Sequence, residues 1–160
     1  MTAKVIAEVA QKGGVGKSTI TVNLAVQYAT AGYSVLVVDL DDVQRTSSQW
    51  FNGRKHHGTG DAGANERIET VRASMIDLPE ILTANRGRVD LILIDTKAAS
   101  EEAASRAVNS ADVVLIPTRP DAIYDLDSVR TTVQLARTHQ RRATVVFNLM
   151  PPKRADMAEA

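Results

Sequence analysis

The 160-residue chain contains no cysteine. Disulfides, thiolate metal sites and cysteine-held iron–sulfur clusters are therefore excluded. It has no charge excess either: 19 basic and 19 acidic residues give a formal net charge of +0. No global attraction to nucleic acid or anionic membrane follows from that balance, so any such binding has to come from a local patch. Long apolar runs are missing too. The longest, such as Val35–Val38 and Leu91–Ile94, are the size of strands and too short for a membrane span. Repeats, low-complexity tracts and a signal-peptide pattern are absent, which predicts a cytoplasmic protein. Hydrophobic residues at 44% and charged residues at 24% are ordinary globular usage, and the length suits one domain with a real core.

What is present alternates strand-like runs with helical stretches, the pattern of an α/β fold with a mostly parallel sheet covered on both faces. The expected strands are Val5–Val9, Ser34–Val38, Ile68–Val71, Val89–Ile94, Val113–Ile116 and Ala143–Phe147. The expected helices are Lys17–Ala31, Gln44–Lys55, Met75–Asn85, Glu101–Ser110 and Leu126–Thr138. The stretch Gly58–Asn65 (GTGDAGAN) reads as a flexible surface loop.

The most informative run is QKGGVGKST, residues 11–19, between the first strand and the first helix. A strand that turns through Gly13, Gly14 and Gly16 into a helix start presents backbone N–H groups and the positive helix end to an anion. Glycines let the backbone approach a phosphate closely. Lys17 can reach the outer phosphates, and the Ser18 hydroxyl can ligate magnesium.

The common phosphate-loop spelling, G-x-x-x-x-G-K followed by Ser or Thr, fails here at one position. Gln11 stands where its first glycine belongs, and Lys12 opens the loop. The resulting K-G-G-x-G-K-S is the deviant Walker A box, and with it the chain resembles the ParA/MinD family of ATPases. That resemblance implies a P-loop NTPase fold, with ATP and Mg2+ as cofactors. Gly13, Gly14, Val15, Gly16, Lys17, Ser18 and Thr19 would cradle the nucleotide, and Lys12 would reach across a nucleotide-sandwich homodimer to the partner's ATP. The lack of cysteine argues against the superfamily's iron–sulfur relatives.

Asp39, Asp41 and Asp95 follow apolar strands and so fall on the edge where open parallel sheets bind ligands. Aspartates at such positions also cap helices. The segment VLVVDLDDVQ resembles the family's first switch region, D-x-D-P-Q, which gives Asp39 a place in the magnesium shell and Asp41 the attacking water. Asp42 replaces the usual proline. LILIDTKA resembles the Walker B strand and second switch, with Asp95 in the magnesium shell and Lys97 where proline is most frequent. Asn148 matches the family's adenine-contacting asparagine, although an asparagine at a strand end is also an ordinary turn former. Arg119, in IPTRP, reads as a phosphate or subunit contact or as an exposed cation. His56 and His57 have no partner at metal-ligand spacing and read as part of a solvated basic patch.

The resemblance is nearest to the small partition ATPases, through TSSQWFNGRK after the first switch. It implies an ATP-dependent dimer that binds DNA without sequence preference, associates with the nucleoid when ATP-bound, and answers to a ParB-like centromere-binding partner. Arg137, Arg141, Arg142, Lys153 and Arg154, with no acidic residue between them, form a candidate DNA surface or a solvated helix end. A MinD-like role would need a C-terminal amphipathic membrane helix, which the tail ADMAEA does not provide, so no membrane partner is expected. A metabolic ligase or kinase is the other alternative, distinguished by turnover that requires a small-molecule acceptor. Only eight residues follow Pro152, too few for a further crossover unit. The chain is therefore read as one domain, 1–160, that is either a fragment or a shortened relative.

Overall fold

The computed structural model describes residues 2–41, 46–98, 101–119 and 125–149. Asp42, Gln44, Pro120, Pro151, Pro152, Lys153, Arg154 and the tail lie outside the described residues.

The strands are β1 (Lys4–Glu8), β2 (Val35–Asp39), β3 (Ile68–Arg72), β4 (Leu91–Asp95), β5 (Val113–Thr118) and β6 (Arg142–Phe147). The helices are α1 (Lys17–Thr30), α2 (Thr46–His56), α3 (Ala62–Glu66), α4 (Leu78–Asn85), α5 (Glu101–Ser110) and α6 (Asp125–Thr138). All strand pairs are parallel, and the six-stranded sheet runs β3-β2-β4-β1-β5-β6. Strands β2 and β4 are buried at every residue, as continuous aliphatic runs covered on both faces require.

Alternation along the strands sends side chains to two cores. One holds Val35, Val37, Leu91 and Leu93 under Val22, Ala25 and Ala29 of α1, Phe51 of α2 and Ala64 of α3. The other holds Val5, Ala7, Val38, Ile92 and Ile94 under Leu78 and Leu82 of α4, Ala104, Ala107 and Val108 of α5, and Ala136 of α6.

Two segments depart most from the sequence expectation. Gly58–Asn65 is not simply a loop, because it contains the start of α3. The Asp61 side chain caps this helix by accepting from Ala64 N at 2.8 Å. Ala64 is buried, and the Asn65 side chain accepts from Arg54 Nε at 2.6 Å and donates to Thr59 O at 3.0 Å. These partners hold the glycine-rich stretch to α2. Helix α4 begins at Leu78, later than the expected Met75, because Ser74 and Asp77 bond each other in a turn and Pro79 belongs in a first helical turn.

Candidate nucleotide site

Strand register sets the floor of the site. Glu8 pairs with Asp95, and Asp95 with Asp39, so the last residues of β1, β4 and β2 form one row of carboxyls across adjacent strands. The row lies on the α1 face, and all three side chains are buried.

Its members differ in their partners. Asp39 accepts from Asp41 N and from Ser48 N, each at 3.0 Å, so one carboxylate shapes the start of the following loop and anchors α2. Neither oxygen of Asp95 has a hydrogen-bond partner among the described residues. Burial pushes the Asp95 carboxyl up to about 6; the Ser18 and Ser47 hydroxyls and Lys17 pull it down, and Asp39 adds to the rise. The two hydroxyls are close enough to act on Asp95 but short of full hydrogen-bond geometry, and the Ser47 hydroxyl is itself unpartnered. Glu8 is fully buried with both oxygens unpartnered. Burial first, and Asp95 second, hold its carboxyl well above the usual range, while the Thr21 hydroxyl acts in the opposite sense. The sequence reading missed Glu8. The available signal was a charged residue between Ala7 and Val9 in a strand whose two faces are both covered.

Above this row the chain leaves β1, turns through Gly14 (φ 73°) and Gly16 (φ 93°), and enters α1 at Lys17. No side chain caps that helix and no acidic residue occupies its first turn, so its leading N–H groups stay available to an anion. Lys17 is only 6% exposed, and its ammonium donates to Lys12 O across the loop at 3.2 Å. Burial pushes the Lys17 ammonium below its ordinary value, against the pull of Asp95 and Asp41.

A cleft of about 230 Å³ opens over the loop. Gly13, Gly14, Gly16, Lys17, Ser18 and Thr19 line one side of it; Asp41 and Lys97 line the other. Asp39 and Asp95 lie beneath. Lys12 is exposed and is not among the lining residues. Val15 is buried, and its carbonyl accepts from Asn148 Nδ2 at 3.0 Å. That amide also fills the space where a Cβ on Gly16 would sit. Asn148 therefore braces the loop from behind. Thr96 donates to Glu8 O at 2.6 Å, tying the segment that follows β4 to β1. A cavity of about 450 Å³ adjoins the cleft and shares Asp41, Thr96 and Lys97 with it.

The other sequence candidates lie apart. His56 and His57 meet edge to face at α2's end, exposed, and no metal-holding cluster occurs among the described residues. Arg137, Arg141 and Arg142 gather where α6 ends and β6 begins, at the sheet edge opposite the phosphate loop. Arg137 and Arg142 are exposed, whereas Arg141 is half-buried and donates to Asn109 O at 2.7 Å.

A family model for the CobQ/CobB/MinD/ParA nucleotide binding domain matches residues 6–159. The chain belongs to this family. Among ParA/MinD relatives, Protein ParA of Rhizobium radiobacter is 28% identical over 155 residues, covering 92% of this chain and 65% of that protein. The maintenance of carboxysome distribution protein A of Gloeobacter kilaueensis is 37% identical over 134 residues, covering 83% of this chain and 56% of its own length. This ParA/MinD chain thus spans between about half and two thirds of these relatives. The fold matches a plasmid partition protein from Borrelia burgdorferi, with TM-score 0.72, 16% identity, and coverage of 92% of this chain and 79% of that one. It also matches septum site-determining protein MinD from Pyrococcus horikoshii complexed with Mg-ADP, with TM-score 0.71, 23% identity, and coverage of 91% and 70%.

The site's own donors fit a divalent cation. Two buried, unpartnered oxygens on Asp95 beside the Ser18 hydroxyl are the hard oxygen ligands magnesium takes, and they need a cation or a proton to be comfortable there.

Proposed function

We propose that the chain is an ATP-driven dimerisation switch with weak ATPase activity, acting in plasmid or chromosome partition. The placement of Lys12 carries this reading. Every other polar side chain of the loop from Lys12 to Thr19 lines the cleft, whereas Lys12 stands outside it, exposed, where it can serve a nucleotide bound to a second copy.

Lys17 and the loop amides hold the β- and γ-phosphates. Ser18 and Asp95 hold Mg2+, with Asp39 fixing the adjoining backbone. When bound, the metal neutralises charge on the phosphate oxygens. Asp41 orients the water that attacks the γ-phosphorus, and ADP departs as the leaving group. Asn148 holds the loop by one amide hydrogen and offers its remaining polar atoms to the adenine edge. Proximity to Protein ParA and to a carboxysome distribution protein supports a cargo-partition role. Arg137 and Arg142 supply an exposed basic edge for DNA backbone, and a ParB-like protein is the expected trigger of hydrolysis.

The test is fluorescence anisotropy of an arbitrary-sequence DNA duplex with Mg-ATP against Mg-ADP. Partition requires binding that depends on ATP and weakens steeply with salt. Binding to anionic vesicles in ATP, with none to DNA, would replace this reading with MinD-like positioning.

A further inference from the structure

Helices α1 and α2 leave an open groove of about 250 Å³ between them. Val22 and Val26 of α1 give it an apolar floor, and Trp50 and Arg54 of α2 form the facing wall. Trp50 is the chain's one tryptophan and stays 41% exposed, whereas the next residue, Phe51, is buried in the core. Tryptophan and arginine side by side at a concave surface are the residue types that most often anchor a protein interface.

The Arg54 guanidinium is oriented by the fold but not consumed by it. Its Nε donates to Asn65 Oδ1 at 2.6 Å, and its central carbon lies 5.3 Å from the Trp50 ring centroid. These contacts set the plane of the fork. Its two terminal nitrogens have no hydrogen-bond or ion-pair partner among the described residues. A fork held in that way can give two parallel hydrogen bonds to a carboxylate at little further cost in entropy. Charge points in the same direction. Neither α1 nor α2 contains an aspartate or glutamate, although the chain's 19 acidic residues equal its basic ones in number.

We propose that the α1–α2 groove docks an acidic segment of a partner protein. One carboxylate of that segment pairs with Arg54, and a neighbouring aliphatic or aromatic side chain packs on Trp50, Val22 and Val26. A nucleic-acid backbone offers phosphates for the arginine but no side chain for the apolar floor. Ser18, Thr19 and Thr46 line both this groove and the nucleotide cleft, and Ser48 of α2 donates its N–H to Asp39. A docked segment therefore lies one helical turn from the phosphate loop. Docking stands on the groove alone, and its coupling to nucleotide rests on the reading above.

The experiment follows Trp50 emission in the full chain while a random glutamate–tyrosine copolymer is added, without nucleotide and in Mg-ADP. Polyglutamate and an arbitrary DNA duplex are the comparisons. The copolymer is expected to change the emission at a midpoint below that of polyglutamate, which lacks the apolar anchor. Arg54→Lys keeps the charge but loses the fork, and should raise the copolymer midpoint about tenfold. Asn23→Asp puts a like charge on an exposed groove position without touching the Arg54 bonds, and should raise it several-fold. Emission that ignores the copolymer, or midpoints unmoved in both folded variants, would overturn the inference. So would a response to duplex DNA at lower concentration than to copolymer, which would make the groove a nucleic-acid surface. A copolymer midpoint that is the same with and without bound ADP would remove the coupling. A wild type that takes the copolymer but no Mg-ADP would sink the nucleotide reading and leave the docking groove standing.

Discussion

Asn148 donates its side-chain amide to the carbonyl of Val15, and in doing so occupies the space a side chain on Gly16 would need. The loop is therefore shaped from both ends of the chain. Gly16→Ala should lose nucleotide binding for two separable reasons: left-handed backbone costs an alanine about 1–2 kcal/mol, and its methyl displaces Asn148. Asn148→Ala alone should cost about 1 kcal/mol of stability, one hydrogen bond's worth. Combined, the two substitutions should be less harmful than the sum of their separate effects, since the clash is gone while the backbone cost remains. Denaturant melts of the four proteins measure this coupling, and strict additivity would contradict it.

Lys17→Ala removes the only lysine lining the phosphate loop's own side of the cleft. Affinity for a fluorescent ATP analogue should fall roughly tenfold to a hundredfold, the equivalent of one or two charge-assisted hydrogen bonds. An unchanged dissociation constant would place the phosphates elsewhere.

Lys12→Ala should separate binding from assembly. Because Lys12 does not line its own cleft, the variant should bind ATP as wild type does yet fail to form the ATP-dependent dimer in analytical ultracentrifugation. Normal dimerisation would remove the sandwich arrangement.

Asp41→Ala should slow single-turnover hydrolysis by about 10²–10⁴, the range for losing a group that handles the attacking water's proton. The ATP dimer should then persist. Wild-type turnover would take Asp41 out of the reaction.

Asp95 gives the nucleotide-free protein a pH dependence. Its carboxyl is raised from 3.8 to about 6 in the folded state, so between those values the folded chain holds more protons than the unfolded one. Stability from this group is therefore present at low pH and lost as pH rises through about 6. Magnesium needs the ionised form, so Mg2+ affinity should move oppositely and weaken as pH falls below about 6. Urea melts of the apo protein and Mg2+ titrations across pH 5–8 check both slopes. Asp95→Asn should flatten the Mg2+ slope and remove this group's share of the stability slope, leaving the share of Glu8, whose buried carboxyl is also raised.

Much of this was legible in the residues. The glycine spacing and Lys17 announce the phosphate loop, and uninterrupted runs such as LILID announce strands covered on both faces. Short-range chemistry of that kind is written in short strings. Asp61, Ala64 and Asn65 were not legible as a helix, because GTGDAGAN becomes ordered only through Arg54 and Thr59, contacts that no local pattern encodes. Glu8 was missed for a related reason: a single charge at the end of an apolar run looks like the end of a strand. Only the register with β4 shows that it ends beside Asp95. The brace from Asn148 is likewise invisible until β6 is laid beside β5.

The sheet order also governs when the site comes into being. Strand β1 is made first, but its neighbours are β4 and β5. A nascent chain that has just exposed the loop after β1 lacks both of β1's sheet neighbours, and Asp95 and Asn148 have yet to be synthesised. Long-range parallel pairing of this kind closes late and slowly. On the proposed reading ATP cannot template early folding on the ribosome; it would act as a ligand of the finished sheet, stabilising by mass action what has already assembled.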